Sequence, residues 1–201
     1  MKHELLRCVL YAFAGYLSGS ILFAYWIPRA LCHVDVRNYG EDGNPGGFNA
    51  IVACGFPIGV LCIVLDILKG ALPVLAALHL GELSGWYMVP VVIAPVAGHA
   101  WPVQCPSQGG KAISVSFGVM LGLMPQLLLA VIWAALYLLL LPVIRDHRVL
   151  TQVSSLLFLL CAFVLYPAAY VRAMTAGVVG ILQIKHRKPN VQAKENPLQT
   201  A

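Results

Sequence analysis

The chain has 201 residues, of which 60% are apolar and only 10% charged, and its mean hydropathy is +0.81. Soluble globules carry roughly 25% charged residues, so this balance excludes one and describes a polytopic membrane protein. The net charge of +5 suits loops that face anionic lipid head groups, and it gives no support to a nucleic-acid partner.

Apolar runs of about 17 to 25 residues can cross a bilayer as helices, and shorter ones can do so only inside a bundle. Seven spans are expected, at 5–27, 55–80, 86–103, 112–124, 126–144, 153–170 and 175–184, the fourth and seventh short enough for partial or tilted crossing. The fold class is therefore an all-α membrane helix bundle of about seven transmembrane helices. The first run keeps Tyr, Phe and Trp and shows no small-residue cleavage site, so it is read as a true span. With the N-terminus outside, Arg29, Arg37, Lys111, Arg145, Arg148, Lys185, Arg187, Lys188 and Lys194 face the cytoplasm, against Lys2, Arg7 and Arg172 outside. That bias selects N-out, C-in. Residues 1–188 read as one domain, and 189–201 as a polar, disordered cytoplasmic tail.

Between the first two spans lies a loop, 35–49, rich in glycine and ending Gly43-Asn44-Pro45-Gly46-Gly47-Phe48-Asn49. Its glycines can take positive φ, and the Asn44 and Asn49 amides offer donors and acceptors, so it suits a tight polar-ligand loop as well as a turn-rich connector. The second span holds Asp66 and Lys69, three residues apart on one helical face. Each costs roughly 2.5–3.5 kcal/mol at the bilayer centre if left alone, so they are expected to pair or to reach a polar cavity. Gly98-His99 closes the third span, and Gln108-Gly109-Gly110-Lys111 follows. Here backbone N–H groups, a lysine charge and the positive end of a helix beginning near Ala112 can meet at one anion, which reads as a phosphate seat at a membrane surface. Cys8, Cys32, Cys54, Cys62, Cys105 and Cys161 form no C-x-x-C pair, so neither a zinc site nor a disulfide framework is expected.

In this order the segments resemble the integral-membrane acyl-phosphate:glycerol-3-phosphate acyltransferases, the PlsY-type family, over nearly the whole chain. The resemblance rests on Gly15-Tyr16-Leu17-Ser18-Gly19-Ser20, Asp35-Val36-Arg37 with Gly43-Asn44-Pro45-Gly46, Leu65-Asp66-Ile67-Leu68-Lys69-Gly70, Gly98-His99-Ala100-Trp101-Pro102 with Gly109-Gly110-Lys111, and Lys185-His186-Arg187 with Asn190. It implies transfer of a fatty acyl group from acyl phosphate to the 1-hydroxyl of glycerol 3-phosphate, giving lysophosphatidic acid and phosphate, in the bilayer of the bacterial plasma membrane with the site facing the cytoplasm. No metal or coenzyme is implied, and the hydroxyl attacks without an acyl-enzyme. Lys111, His186 and Asn44 are then the expected catalytic residues, with Gly43, Gly46, Gly47, Asn49, Asp42, Arg37, His99, Gly109, Gly110 and Asn190 binding substrate. The chain departs from the family's first motif: Asp42 or Glu41 stands where the family has serine, Phe48 replaces a threonine, and Val52 or Ala53 replaces an arginine. Two other outcomes are carried forward: acyl-phosphate-dependent transfer to a different acceptor, and a non-catalytic solute-binding, transport or pseudoenzyme membrane protein. Transport is disfavoured by the lack of an internal repeat of spans.

Overall fold

The computed structural model describes residues 2–40, 42–124 and 128–187. Among these it is entirely helical, with nine α-helices: α1 Lys2–Ser20, α2 Phe23–Leu31, α3 Gly47–Cys54, α4 Phe56–His79, α5 Met88–Ala100, α6 Ile113–Leu121, α7 Leu129–Leu140, α8 His147–Leu165 and α9 Ala169–His186. Glu41, Lys188, Asn190, Lys194 and the tail at 189–201 lie outside the described residues. Three stretches are long and apolar enough to cross a membrane by themselves: Lys2–Leu31, Phe56–His79 and His147–Leu165. Helices Gly85–Ala100 and Leu129–Leu140 are apolar but shorter.

The seven expected spans each find a helical counterpart, with four differences. The first is broken at Ile21–Leu22, which separates α1 from α2 and frees the Ile21 carbonyl for a side-chain partner. The end of the expected loop at 47–49 is the first turn of α3, an eight-residue helix too short for a span-length window to register. The sixth helix starts earlier than expected because Asp146 caps it, its carboxylate accepting from the N–H groups of Arg148 at 2.8 Å and Val149 at 3.4 Å. It also ends earlier, before Pro167, which lacks the N–H needed to continue the ladder. The last helix is 18 residues long, well beyond the expected 175–184, because Arg172 does not interrupt it. That guanidinium donates to Tyr166 O at 2.9 Å and lies over the Phe163 ring at 5.5 Å, so its charge is absorbed locally.

Lipid tails are as apolar as leucine, so close packing rather than water exclusion holds such helices together, and small residues mark where backbones touch. Gly15 and Gly19 on α1 press against Pro95 of α5, and Gly98 of α5 presses against Tyr16 O; a Cβ at Gly19 or Gly98 would collide with backbone. Gly70 of α4 and Gly118 of α6 do the same for that pair. Away from the site, fully buried Trp133 of α7 stacks between Phe117 and Phe158, with ring centroids at 4.1 and 5.6 Å. These contacts converge the ends of α1, α5 and α9 and the segments 35–46 and 101–112 on one end of the bundle, where the polar residues gather.

Candidate active site

Beneath this end sits a buried polar pedestal. Asp66 and Lys69 of α4 pair at 2.7 Å with side chains 3% and 2% exposed, which resolves the two expected outcomes in favour of pairing. The ammonium's directed hydrogen bonds go elsewhere, to Ile21 O at 2.5 Å and to His99 Nδ1 at 2.8 Å, so Asp66 supplies mainly charge. Because an ammonium can only donate, Nδ1 of His99 is the acceptor and its ring proton lies on Nε2. Nε2 abuts Gly110, where a Cβ would collide with it. The Gly110 N–H in turn donates to His99 O at 3.0 Å. His99 therefore lies under the turn as a support, 4% exposed.

The glycine turn differs in one respect from what its composition suggests. The N–H of Gly110 is spent on His99, and that of Lys111 donates to Asn44 Oδ1 at 3.1 Å, so neither points at a ligand. The two glycines are needed for close approach: a Cβ at Gly109 would strike Ala100 O, as one at Gly110 would strike the His99 ring. Ala112 then takes a left-handed conformation, φ 64°, to turn the chain into α6.

The loop folds onto this turn. Gly43 adopts φ 58°, which turns the chain between Asp42 and Asn44. Asp42 Oδ1 accepts from the Asn44 N–H at 3.1 Å and the Asn49 side-chain amide at 3.0 Å, while Oδ2 meets Lys111 Nζ at 2.5 Å. Asn49, 4% exposed, also donates to Asn44 O at 2.9 Å. Burial alone would raise the Asp42 carboxyl, but Lys111, the Asn44 N–H and the Asn49 amide outweigh it and hold the group below its ordinary range. Gly46 and Gly47 carry the loop into α3, where a Cβ at Gly47 would meet Ile63. Arg37, over the Tyr25 ring at 4.7 Å, is held by a fork to Asp35 and reaches Gln108. The Arg37 hydrogen bonds draw the Asp35 carboxyl down against the opposing effect of burial. A cavity of about 180 Å³ opens beside this pair, lined by Ser20, Tyr25, Arg37, Pro45, Pro102 and Gln108 among others.

Helix α9 closes the far side. His186 Nδ1 donates to Leu182 O at 2.7 Å, which leaves the Nε2 lone pair buried without a partner. Lys185, absent from the expected site residues, donates to Ala100 O at 2.9 Å and Gly109 O at 3.2 Å, tying α9 to the glycine turn. His147, at the start of α8, is likewise absent from the expected site residues; it lies within electrostatic reach of Lys111 and Asp42 and bonds Tyr137 OH at 3.1 Å. Lys185 stands beside a singled-out histidine and was legible by adjacency, whereas no local pattern marks His147. Lys111, Asn44, Asp42, Asn49, Gly43, Gly109, Gly110 and His186 thus assemble at one place. Arg37 joins them through Gln108, and Asn190 is outside the described residues. Of the residues at the departures from the expected motif, Phe48 and Val52 are exposed on α3, at 66% and 53%.

The family model described as Glycerol-3-phosphate acyltransferase matches residues 9–194. The chain belongs to this family. A glycerol-3-phosphate acyltransferase of Myxococcus xanthus (strain DK1622) is 43% identical over 116 residues, 58% of this chain and 60% of that protein. The crystal structure of PlsY (YgiH), an integral membrane glycerol 3-phosphate acyltransferase, in its glycerol 3-phosphate form superposes with a TM-score of 0.79 at 29% identity, covering 90% of this chain and 88% of that one. Its lysophosphatidic acid form gives 0.78 at 26% identity over the same shares. As a member of the glycerol-3-phosphate acyltransferase family with this structural likeness, the chain is a multi-pass membrane protein, all-helical among the described residues.

Proposed function

We propose that this protein catalyses the acyl-phosphate-dependent step of phospholipid biosynthesis: transfer of a fatty acyl group to the 1-hydroxyl of glycerol 3-phosphate, giving lysophosphatidic acid and phosphate. The observation that carries the reading is the convergence of Lys111 Nζ, the Asn44 N–H and the Asn49 amide on one carboxylate, which defines a seat for an anion. Family membership and the likeness to a structure with glycerol 3-phosphate supply the substrate class.

Acyl phosphate is a mixed anhydride and already activated, so the protein's work is to hold two phosphates and an alcohol in line and to exclude water. Lys111 and the two asparagines hold a phosphate, and Gly109 and Gly110 let the turn lie on its pedestal. The glycerol oxygen forms a bond to the acyl carbon while the bond from that carbon to the phosphate oxygen breaks, and the hydroxyl proton passes to a substrate phosphate. His186 Nε2, a buried lone pair with no hydrogen-bond partner among the described residues, accepts a hydrogen bond from the substrate hydroxyl and orients it. No metal or coenzyme enters this scheme. Seven crossings with N-out, C-in topology place 35–49 and 105–111 at the cytoplasmic face of the bacterial plasma membrane, where glycerol 3-phosphate is at hand and the acyl chain stays in the bilayer.

A second reading, transfer to a less anionic hydroxyl compound, is favoured by Asp42 and by Val52 or Ala53 at the expected arginine position. Phosphate release from palmitoyl phosphate by the purified protein in nanodiscs, with and without glycerol 3-phosphate, separates the two. Release that requires glycerol 3-phosphate, yields lysophosphatidic acid and is lost in Lys111→Ala supports the first reading. Release that needs another acceptor supports the second, and turnover unchanged in Lys111→Ala removes both.

A further inference from the structure

The anion seat is already taken by the chain itself. The three groups that define it, Lys111 Nζ, the Asn44 N–H and the Asn49 amide, all bond Asp42. The neighbouring cations are similarly provided for: Arg37 has Asp35, and Lys69 has Asp66. Lys185 brings charge without a carboxylate among the described residues, but its ammonium is turned to the carbonyls of Ala100 and Gly109. A phosphate arriving here therefore meets paired charges, and must compete with Asp42 for Lys111, the Asn44 N–H and the Asn49 amide.

Exposure separates the two lysine pairs. Asp66 and Lys69 are 3% and 2% exposed, and a separated charge there would have no water to receive it. Asp42 is 28% exposed and Lys111 12%, and Asp42 is followed by Gly43 at φ 58°, where backbone rotation meets no Cβ, so the carboxylate can swing into solvent. We infer that Asp42 is a resident anion that yields Lys111, the Asn44 N–H and the Asn49 amide to an entering substrate phosphate and reclaims them afterwards, so that the seat binds free phosphate weakly. This rests on the proposed phosphate-binding role of the seat. A phosphate on an acyl chain or on glycerol brings further contacts to offset the displacement, whereas inorganic phosphate brings none. Asp42 thereby disfavours retention of the leaving phosphate, making it a specificity-determining residue between substrate and product.

The test is binding of inorganic phosphate to the full chain in nanodiscs by titration calorimetry, for wild type, Asp42→Asn, Asp42→Ser and Asp42→Asn in a Lys111→Ala background. Removing the competing charge frees a charge-assisted contact, so Asp42→Asn and Asp42→Ser are expected to bind phosphate about tenfold tighter or more. The gain should vanish without Lys111. Affinity unchanged or weakened in both single variants overturns the inference, as does a gain that persists in Lys111→Ala. Because no acyl transfer is measured, a protein inactive on acyl phosphate could still show the gain, which separates failure of this inference from failure of the proposed reaction.

Discussion

Asp66→Ala isolates the pedestal. The substitution leaves the Lys69 ammonium 2% exposed on α4 with no carboxylate, 2.8 Å from His99 Nδ1 and under the glycine turn. Breaking a buried pair by removing one partner costs about 3–5 kcal/mol, which is roughly 10²–10⁴ in the folding equilibrium. Asp66→Ala with Lys69→Met removes both charges and should recover most of that loss. It should remain about 1–2 kcal/mol below wild type, because the bonds from Lys69 to Ile21 O and His99 are lost as well. Reversible unfolding in mixed micelles, followed by tryptophan fluorescence, measures all three proteins. A single variant within about 1 kcal/mol of wild type would mean that Lys69 sheds its charge or reaches water, and the pedestal argument would fall.

Four further outcomes are expected. His186→Gln should lower kcat by about 10²-fold with a smaller change in KM if Nε2 orients the substrate hydroxyl, and an unchanged kcat would assign His186 to packing alone. Gly110→Ala should reduce turnover sharply by pushing the turn off His99, with the loss visible in activity assays before it is visible in membrane insertion. Val52→Arg, restoring a cation on the exposed face of α3, should lower KM for glycerol 3-phosphate about tenfold, and no change would place the acceptor elsewhere. The Asp42 carboxyl is held below its ordinary value of 3.8, so its stabilising effect is complete above that value and is lost as pH falls through the lower folded one. The difference in thermal midpoint between wild type and Asp42→Asn should therefore be constant from pH 7 to about 5 and shrink below about 4.

What the sequence made legible follows the range of each interaction. The apolar helices are readable because apolar composition acts over twenty residues at a time, and the Gly109-Gly110-Lys111 turn because three adjacent residues carry it. The break at Ile21–Leu22 and the short α3 are not, since each depends on a partner far along the chain: Lys69 for the Ile21 carbonyl, and the packing of Gly47 on Ile63 for α3. Pro167 marked the end of α8 in plain sight, but the apolar run on either side of it masked the signal. In sequence Asp42 shares with Glu41 the place where the family motif has serine. Only the fold brings it against Lys111, 69 residues away, and turns it into the ligand of the site.

The helices flanking the glycine turn are short for a membrane. At 1.5 Å per residue, the 13 residues of α5 span about 20 Å and the 9 of α6 about 13 Å, against roughly 30 Å of hydrocarbon. On the proposed membrane placement, a turn slung between such struts lies in a well below the lipid head groups. Traffic is then asymmetric. Lifting an acyl chain toward water would cost about 0.8 kcal/mol for every methylene uncovered, and a recessed site requires no such lift. On the proposed reaction the donor would enter sideways at its own depth, and the small hydrophilic partner would make the descent.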